Sequence, residues 1–338
     1  MKVYRVYNER QLRHALDQPH ERTITFGSPV IFLASHQDLI LKHGDVKLLN
    51  TLGMPVTITG AGLVVKKCKD VSLLNIHIRR GASGHTNPGE ALLFHRSKNV
   101  LVENCTFGWG TDETVSVTDS KHVAFVRCIV AHPLDSPRAD DGSMLHDQAP
   151  HGYGMLVRAS SEVFVEGCLF AHCRKRSPSA SPDGKTRLRL AVRNCIVYNW
   201  GEHGMNFNSG SGKKQHKRSA RVTFEGNQFI PGRNTTGPAI NLETPNKNRV
   251  LKASIQDNRT DKGLEVEHVV EQGKNKGKLK VSADYAMDSY DPFLAFDVPA
   301  AKVLDRVGAM PRDVYAQMVV QNVRERAGSF IDHESQIL

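Results

Sequence analysis

Through the middle of the chain apolar residues alternate with polar ones, and the alternation recurs as a phrase. Lys98-Asn-Val-Leu-Val-Glu-Asn-Cys105, Lys121-His-Val-Ala-Phe-Val-Arg-Cys128, Ser161-Glu-Val-Phe-Val-Glu-Gly-Cys168 and Leu188-Arg-Leu-Ala-Val-Arg-Asn-Cys195 superimpose, each cysteine standing two residues before an apolar Phe or Val. Weaker copies end at Ile76 and Asn227. A period of two predicts strands. The anchors 76, 105, 128, 168, 195 and 227 are 29, 23, 40, 27 and 32 residues apart, too irregular for a helical array but suited to a solenoid with loops on one side. An all-β, single-stranded parallel β-helix follows, because each coil buries its inward side chains only by stacking on its neighbours, which turns a repeated position into a ladder.

Cys105, Cys128, Cys168 and Cys195 would form such a ladder, reduced and buried. Free cysteine packs as a small hydrophobe, and core packing is preferred over metal or disulfide because no Cys-x-x-Cys occurs and the spacings exceed those of zinc-ligand pairs. Cys68 and Cys173 fall outside this register and are expected to be open to reagents.

At the start, Asn8-Glu-Arg-Gln11 has the form of a capping box, and Leu12, Ala15 and Leu16 give one apolar face. A short helix there would cap the open end of the core. Short apolar runs from Arg22 to Gly60 read as the first coils. After Leu251 the pattern thins, Gln272 to Lys280 reads as an exposed turn, and the chain then turns helical. Ala301 to Val307 ends at Gly308, and Pro311-Arg-Asp opens a second helix whose Val314, Met318 and Val319 are spaced for one buried face. The expected organisation is one domain over 1–338: cap and first coils over 1–60, central coils with cleft loops over 61–250, and a C-terminal extension with two helices over 251–338.

Three polar stretches interrupt the register, His132 to Pro150, Arg174 to Lys185 and Ser209 to Ser219. Loops on a rigid scaffold are where function concentrates. The third, with Lys213, Lys214, Lys217 and Arg218, reads either as a solvated loop or as a wall contacting an anionic ligand.

Composition changes this picture little. With 39% apolar and 24% charged residues the chain has the make-up of a soluble globular protein, and no stretch reads as a membrane span. Its start lacks the apolar run of a signal peptide, so the expectation is a secreted protein whose leader is absent from this chain, or one carried in a phage virion. The formal charge of +10 favours a polyanionic partner. Acidic polysaccharide is preferred to nucleic acid, for which no binding motif accompanies the charge.

Polar density gathers at the junctions after the ladder cysteines. Segments following the same strand lie above one another in a β-helix, so Glu103 and Asp112, His151 and Tyr153, and His172, Arg174 and Arg176 are expected to converge.

Here the motifs carry a resemblance. Cys105-Thr-Phe-Gly-Trp-Gly-Thr-Asp-Glu113, His151-Gly-Tyr-Gly154, Arg176-Ser-Pro178 and Asn194-Cys-Ile-Val-Tyr-Asn-Trp-Gly201 resemble, in order, the motifs of polysaccharide lyase family 1, the pectate lyases. The match runs from about Ile58 to Pro238, and Val307-Gly-Ala-Met-Pro-Arg-Asp313 is similar to the tail of bacterial members. The resemblance implies a right-handed β-helix that cleaves homogalacturonan, or a related acidic glycan, by β-elimination, usually with Ca2+. It implies Arg176 as the base, working best at alkaline pH because guanidinium resists deprotonation. Glu103 and Asp112 take the positions of calcium carboxylates, while a third carboxylate position is Ser116, so calcium binding should be weak or assisted by substrate. The family's lysine before His-Gly-Tyr-Gly and its second arginine are absent; His151, Tyr153, His172, Arg174 and Lys175 are the candidate substrate-binding residues. The competing readings are a non-catalytic or phage-tail β-helix that binds or depolymerises a surface polysaccharide, and a glycoside hydrolase. The last needs paired carboxylic acids, whereas the expected cleft is more basic than acidic.

Overall fold

The computed structural model describes residues 1–147, 150–210, 219–246, 249–271, 277–288 and 300–337. Among these, the strands form three parallel sheets of eleven, nine and nine strands. Each coil gives one strand to each sheet in turn, as Lys98–Glu103 to the first, Thr106–Gly108 to the second and Glu113–Thr118 to the third. The repeated apolar positions stack as the period of two requires. Val71, Val100, Val123, Val163, Leu190 and Val222 are register partners along the first sheet, and all are buried. Each such side chain contributes roughly 1.5–3 kcal/mol by leaving water. No helix among the described residues is long and apolar enough to cross a membrane.

The cysteine ladder turns the corner between the first and second sheets. The residue before each rung takes a left-handed φ: Asn104 (49°), Arg127 (52°), Gly167 (60°) and Asn194 (52°). Asn and Gly tolerate that conformation best, which explains their frequency there. The rung itself accepts the amide hydrogen of the coil before it. Cys128 N–H donates to Cys168 Sγ and Cys168 N–H to Cys195 Sγ, both at 3.3 Å, and Cys195 N–H donates to Asn227 Oδ1 at 3.0 Å. Corner amides that leave the strand ladder are thereby satisfied.

A second ladder, hidden in the sequence, does the same between the third and first sheets. Cys68, Ser97, Ser120 and Ser160 are linked by amide-to-hydroxyl bonds of 3.3, 3.1 and 3.0 Å, each rung again following a left-handed residue. Cys68 therefore does not lie open: it is a rung, 3% exposed, and Cys173 is 1% exposed. Burial pushes their thiols up to about 11 and about 12, and it raises Cys128 and Cys195 as well. None of the six cysteines is more than 3% exposed, so reagent cannot reach the sulfurs, and all six should resist iodoacetamide in the folded protein and label on unfolding. Mass spectrometry after native labelling checks this, and prompt modification of any rung counts against the ladders.

Helix α1 (Glu9–Leu16) forms with the expected N-cap, Gln11 N–H donating to Asn8 Oδ1 (3.0 Å), but the Gln11 side chain reaches one residue past the cap, its Oε1 accepting from Tyr7 N–H (2.8 Å). Leu12, Ala15 and Leu16 are buried in the core. Its last carbonyls are capped by the buried Arg22, which donates to Ala15 O and Leu16 O at 2.7 Å each.

Two expectations about loops are corrected. The stretch from Arg174 to Lys185 contains a strand, Ser179–Ser181, in the third sheet; only Ala180 points into the core, so no apolar period marked it. Within Gln272 to Lys280, Lys278 begins a strand that ends at Val281 and closes the first sheet. The remaining Gly/Lys residues there, 272–276, and residues 211–218 of the basic stretch lie outside the described residues.

Helices α2 (Ala300–Arg306) and α3 (Val314–Glu325) cover the second sheet. Its strands Ile129–Ala131, Leu169–Ala171 and Ile196–Tyr198 are apolar on both faces because one face meets the core and the other meets these helices. The buried face of α3 is Tyr315, Ala316, Val319, Val320 and Val323, with Met318 packed beside it, so of the expected stripe only Val314 faces away. Asp313 is the N-cap, which leaves Val314 at the first helical position, 83% exposed. The C-terminal segment then ties down the loops: the Glu334 carboxylate accepts from Ala82 N–H (3.0 Å) and from Ser83 Oγ (3.0 Å). Glu334→Ala leaves those loop donors unpaired and should cost about 1–3 kcal/mol, read as a lowered Tm; an unchanged Tm would show that water replaces the carboxylate.

Candidate active site

The outward face of the third sheet carries a cleft of about 510 Å³. Glu113 opens the strand Glu113–Thr118 and Tyr153 opens Tyr153–Arg158, and the two are register partners. Tyr153 in turn bridges Lys175 in the next coil, which sets Arg176 beside them. Close stacking of these coils needs Gly154: a Cβ there would stand 2.6 Å from Arg176 O and 2.9 Å from Cys173 Sγ. The glycine of His-Gly-Tyr-Gly is thus required by backbone approach.

Arg176 pairs with the buried carboxylate of Glu113 and lies 4.1 Å from the centroid of the Tyr153 ring. Burial pushes its guanidinium down to about 10, against the opposing charge of Asp112. Asp112 accepts from His151 Nε2 at 2.9 Å, with His146 Nε2 at 3.6 Å. Burial acts to raise the Asp112 pKa, but the His151 hydrogen bond and the charges of His151, His146 and Arg176 outweigh it and hold the group below its ordinary value. Across from it, burial and then the charge of Asp112 push Glu90 up to about 7.

Of the residues expected to converge, Arg176, Asp112, His151 and Tyr153 do so. Glu103 does not. It ends a strand of the first sheet, in register with Leu74 and Val126, and pairs with Arg127. His172 lies under the C-terminal segment, stacked on His132 at 4.3 Å and within 2.8 Å of Asn199 Nδ2; burial pushes it down to about 3. Arg174 grips Asp135 with two bonds of 2.6 and 2.5 Å. Lys175 is paired with Glu202 at 2.6 Å.

In their place the cleft gains Glu90, Glu113, His146 and the exposed Arg158. With Glu90, Asp112, Glu113 and Asp183 all lining it, the cleft is not the predominantly basic one expected. Glu90 had a signal: it stands two residues before the buried Leu92, as Glu113 stands before Val115, and Leu92 and Val115 are register partners. One oxygen each of Glu90, Asp112 and Glu113 lie within 4.8 Å of one another. An all-oxygen set suits a hard cation such as Ca2+, and a carboxyl raised by burial and by a neighbouring carboxylate, as Glu90 is, fits such an ion.

Comparison with known proteins agrees with this architecture. The family described as "Right handed beta helix region" matches residues 61–268. Probable pectate lyase C of Aspergillus flavus is 23% identical over 284 residues, covering 84% of this chain and 60% of the relative; that of Emericella nidulans is 22% identical over 305 residues, covering 89% and 65%. The chain thus spans about three fifths of the length of the curated relatives it matches. Among solved structures, a thermostable pectate lyase superimposes with a TM-score of 0.57 at 10% identity, covering 91% of this chain and 92% of the other. The cedar pollen allergen jun a 1 gives 0.54 at 14% identity, covering 91% and 88%. The chain therefore belongs to the right-handed β-helix family, with a pectate-lyase-like fold.

Proposed function

We propose that this chain is a polysaccharide lyase that cleaves polygalacturonate or a related acidic glycan by β-elimination, outside the cell. The observation that carries the reading is a guanidinium, Arg176, held by Glu113 and Tyr153 in an open cleft beside a set of three carboxylates, Glu90, Asp112 and Glu113. β-Elimination removes the C5 proton beside the uronate carboxylate while the C4 oxygen departs. Charge that develops on that carboxylate must be met by a cation.

Arg176 is the proposed base. Its backbone is fixed by the bond from Met155 N–H to Arg176 O (2.6 Å), and its side chain is oriented by Tyr153 and Glu113. In its neutral form it takes the proton. Glu90, Asp112 and Glu113 would hold Ca2+, which when bound supplies positive charge to the substrate carboxylate. His151 keeps Asp112 ionised, and the exposed Arg158 is a cation positioned to attract a uronate further along the same face.

The test is to incubate the protein with polygalacturonate, alginate and other uronates, with calcium or chelator, and to follow the near-ultraviolet absorbance of the unsaturated product. Absorbance that needs calcium supports the reading. New reducing ends without absorbance would indicate hydrolysis, and neither signal would leave a glycan-binding β-helix.

A further inference from the structure

The oxygen set accounts for one wall of the cleft but not for the two imidazoles beside it. His146 and His151 stack with ring centroids 3.7 Å apart. Both direct Nε2 at the same oxygen of Asp112, at 3.6 and 2.9 Å. His146 comes from the long loop between the strands Ile129–Ala131 and Tyr153–Arg158, and His151 from the end of that loop. Both line the open cleft. One ligand atom from each of the three residues lies within 4.8 Å of the others, so shifts of about an ångström would bring them to the roughly 2 Å bonds of a first-row metal.

We infer that Asp112, His146 and His151 form a second cation site, selective for a zinc-class divalent ion and sharing Asp112 with the oxygen set. Two imidazole nitrogens and one carboxylate suit first-row transition ions, whereas calcium takes oxygens. Three protein ligands leave coordination positions open towards the cleft, where a uronate carboxylate or water can enter. Because one carboxylate serves both sets, filling either site withdraws a ligand from the other, and a zinc-class ion antagonises calcium. His151 Nε2–H now donates to Asp112; binding there moves the proton to Nδ1, a buried nitrogen without a hydrogen-bond partner. An oriented partner is worth about 10- to 100-fold in metal affinity, so the site should bind in the micromolar rather than the nanomolar range. The inference stands apart from the lyase reading.

The experiment uses the full chain, stripped with chelator, titrated calorimetrically with ZnCl2 and spectroscopically with Co2+. His146→Ala and, as a second variant, His151→Gln should weaken zinc binding at least about tenfold and abolish the visible Co2+ bands, while thermal unfolding in chelator verifies that each is folded. Glu90→Gln, which removes a neighbouring carboxylate but none of the three zinc ligands, should weaken zinc binding clearly less than either histidine variant. Zinc affinity unchanged in both histidine variants overturns the inference. So does equal weakening in Glu90→Gln and His146→Ala, which would put the ion among the oxygens, and so does no binding at millimolar zinc. Zinc binding of the expected kind in a protein inactive on every uronate would sink the lyase reading and support this site.

Discussion

Arg176→Lys should lower kcat on its uronate polymer at least about 100-fold, the lower bound of what a positioned base contributes. Lysine keeps the charge opposite Glu113 but loses the planar fork and its stacking on Tyr153. Stability should fall by only about 1 kcal/mol, the scale of one partly buried cation–ring contact. The pH profile identifies the group. A base must be deprotonated to act, so with a guanidinium at about 10 the wild-type kcat/KM should rise about tenfold per pH unit up to that value, and the variant should lose that limb. Arg174→Lys is the comparison. It breaks the two-bond grip on Asp135, so it should act on Tm before it acts on kcat. Near-normal kcat in Arg176→Lys would remove Arg176 as the base.

In the calcium-free protein, Glu90→Gln should raise stability at neutral pH by about 1–3 kcal/mol. Glu90 goes from an ordinary 4.5 to about 7 on folding, through burial and the charge of Asp112, and each pKa unit is about 1.4 kcal/mol. The sign follows from a folded pKa above the unfolded one. The folded chain binds the proton more tightly, so the contribution of Glu90 is fully present below about pH 4.5 and is lost as pH rises through about 7. Wild type and Glu90→Gln should therefore have similar Tm near pH 4 and diverge by pH 8. Added calcium should raise the wild-type Tm at pH 8 more than that of the variant, because an ion that binds only the folded state stabilises it. Parallel curves with no calcium effect would remove Glu90 from any cation set.

The period of two decides which side chains enter the core, and the recurring phrase decides where each coil begins. Both are local, so the β-helix, the four-rung cysteine ladder and helix α1 could be read from residues alone. The phrase, however, marks strands of the first sheet, while the cleft lies on the third, two corners later. Distance in sequence along those corners does not say which face a residue reaches. Glu103 is the case in point: it closes a phrase and looks adjacent to Asp112, yet it belongs to a different side of the prism and pairs with Arg127. Glu90, from the preceding coil, meets Asp112 because Leu92 stacks on Val115, and only the register between coils supplies that.

The other differences have the same origin. Arg174, Lys175 and Arg176 are consecutive, but Arg174 finds Asp135, Lys175 finds Glu202 and only Arg176 reaches Glu113. Which cation is left for chemistry depends on acidic partners 39, 27 and 63 residues away in the chain. His172 reads as a cleft residue until the C-terminal segment folds over it and withdraws it from water. The sequence by itself determined what alternates, what stacks and where the chain can turn, because those depend on neighbours a few residues apart. Tertiary structure decided which carboxylate faces which cation, because that depends on the stacking of coils and on loops that meet only once the solenoid has closed.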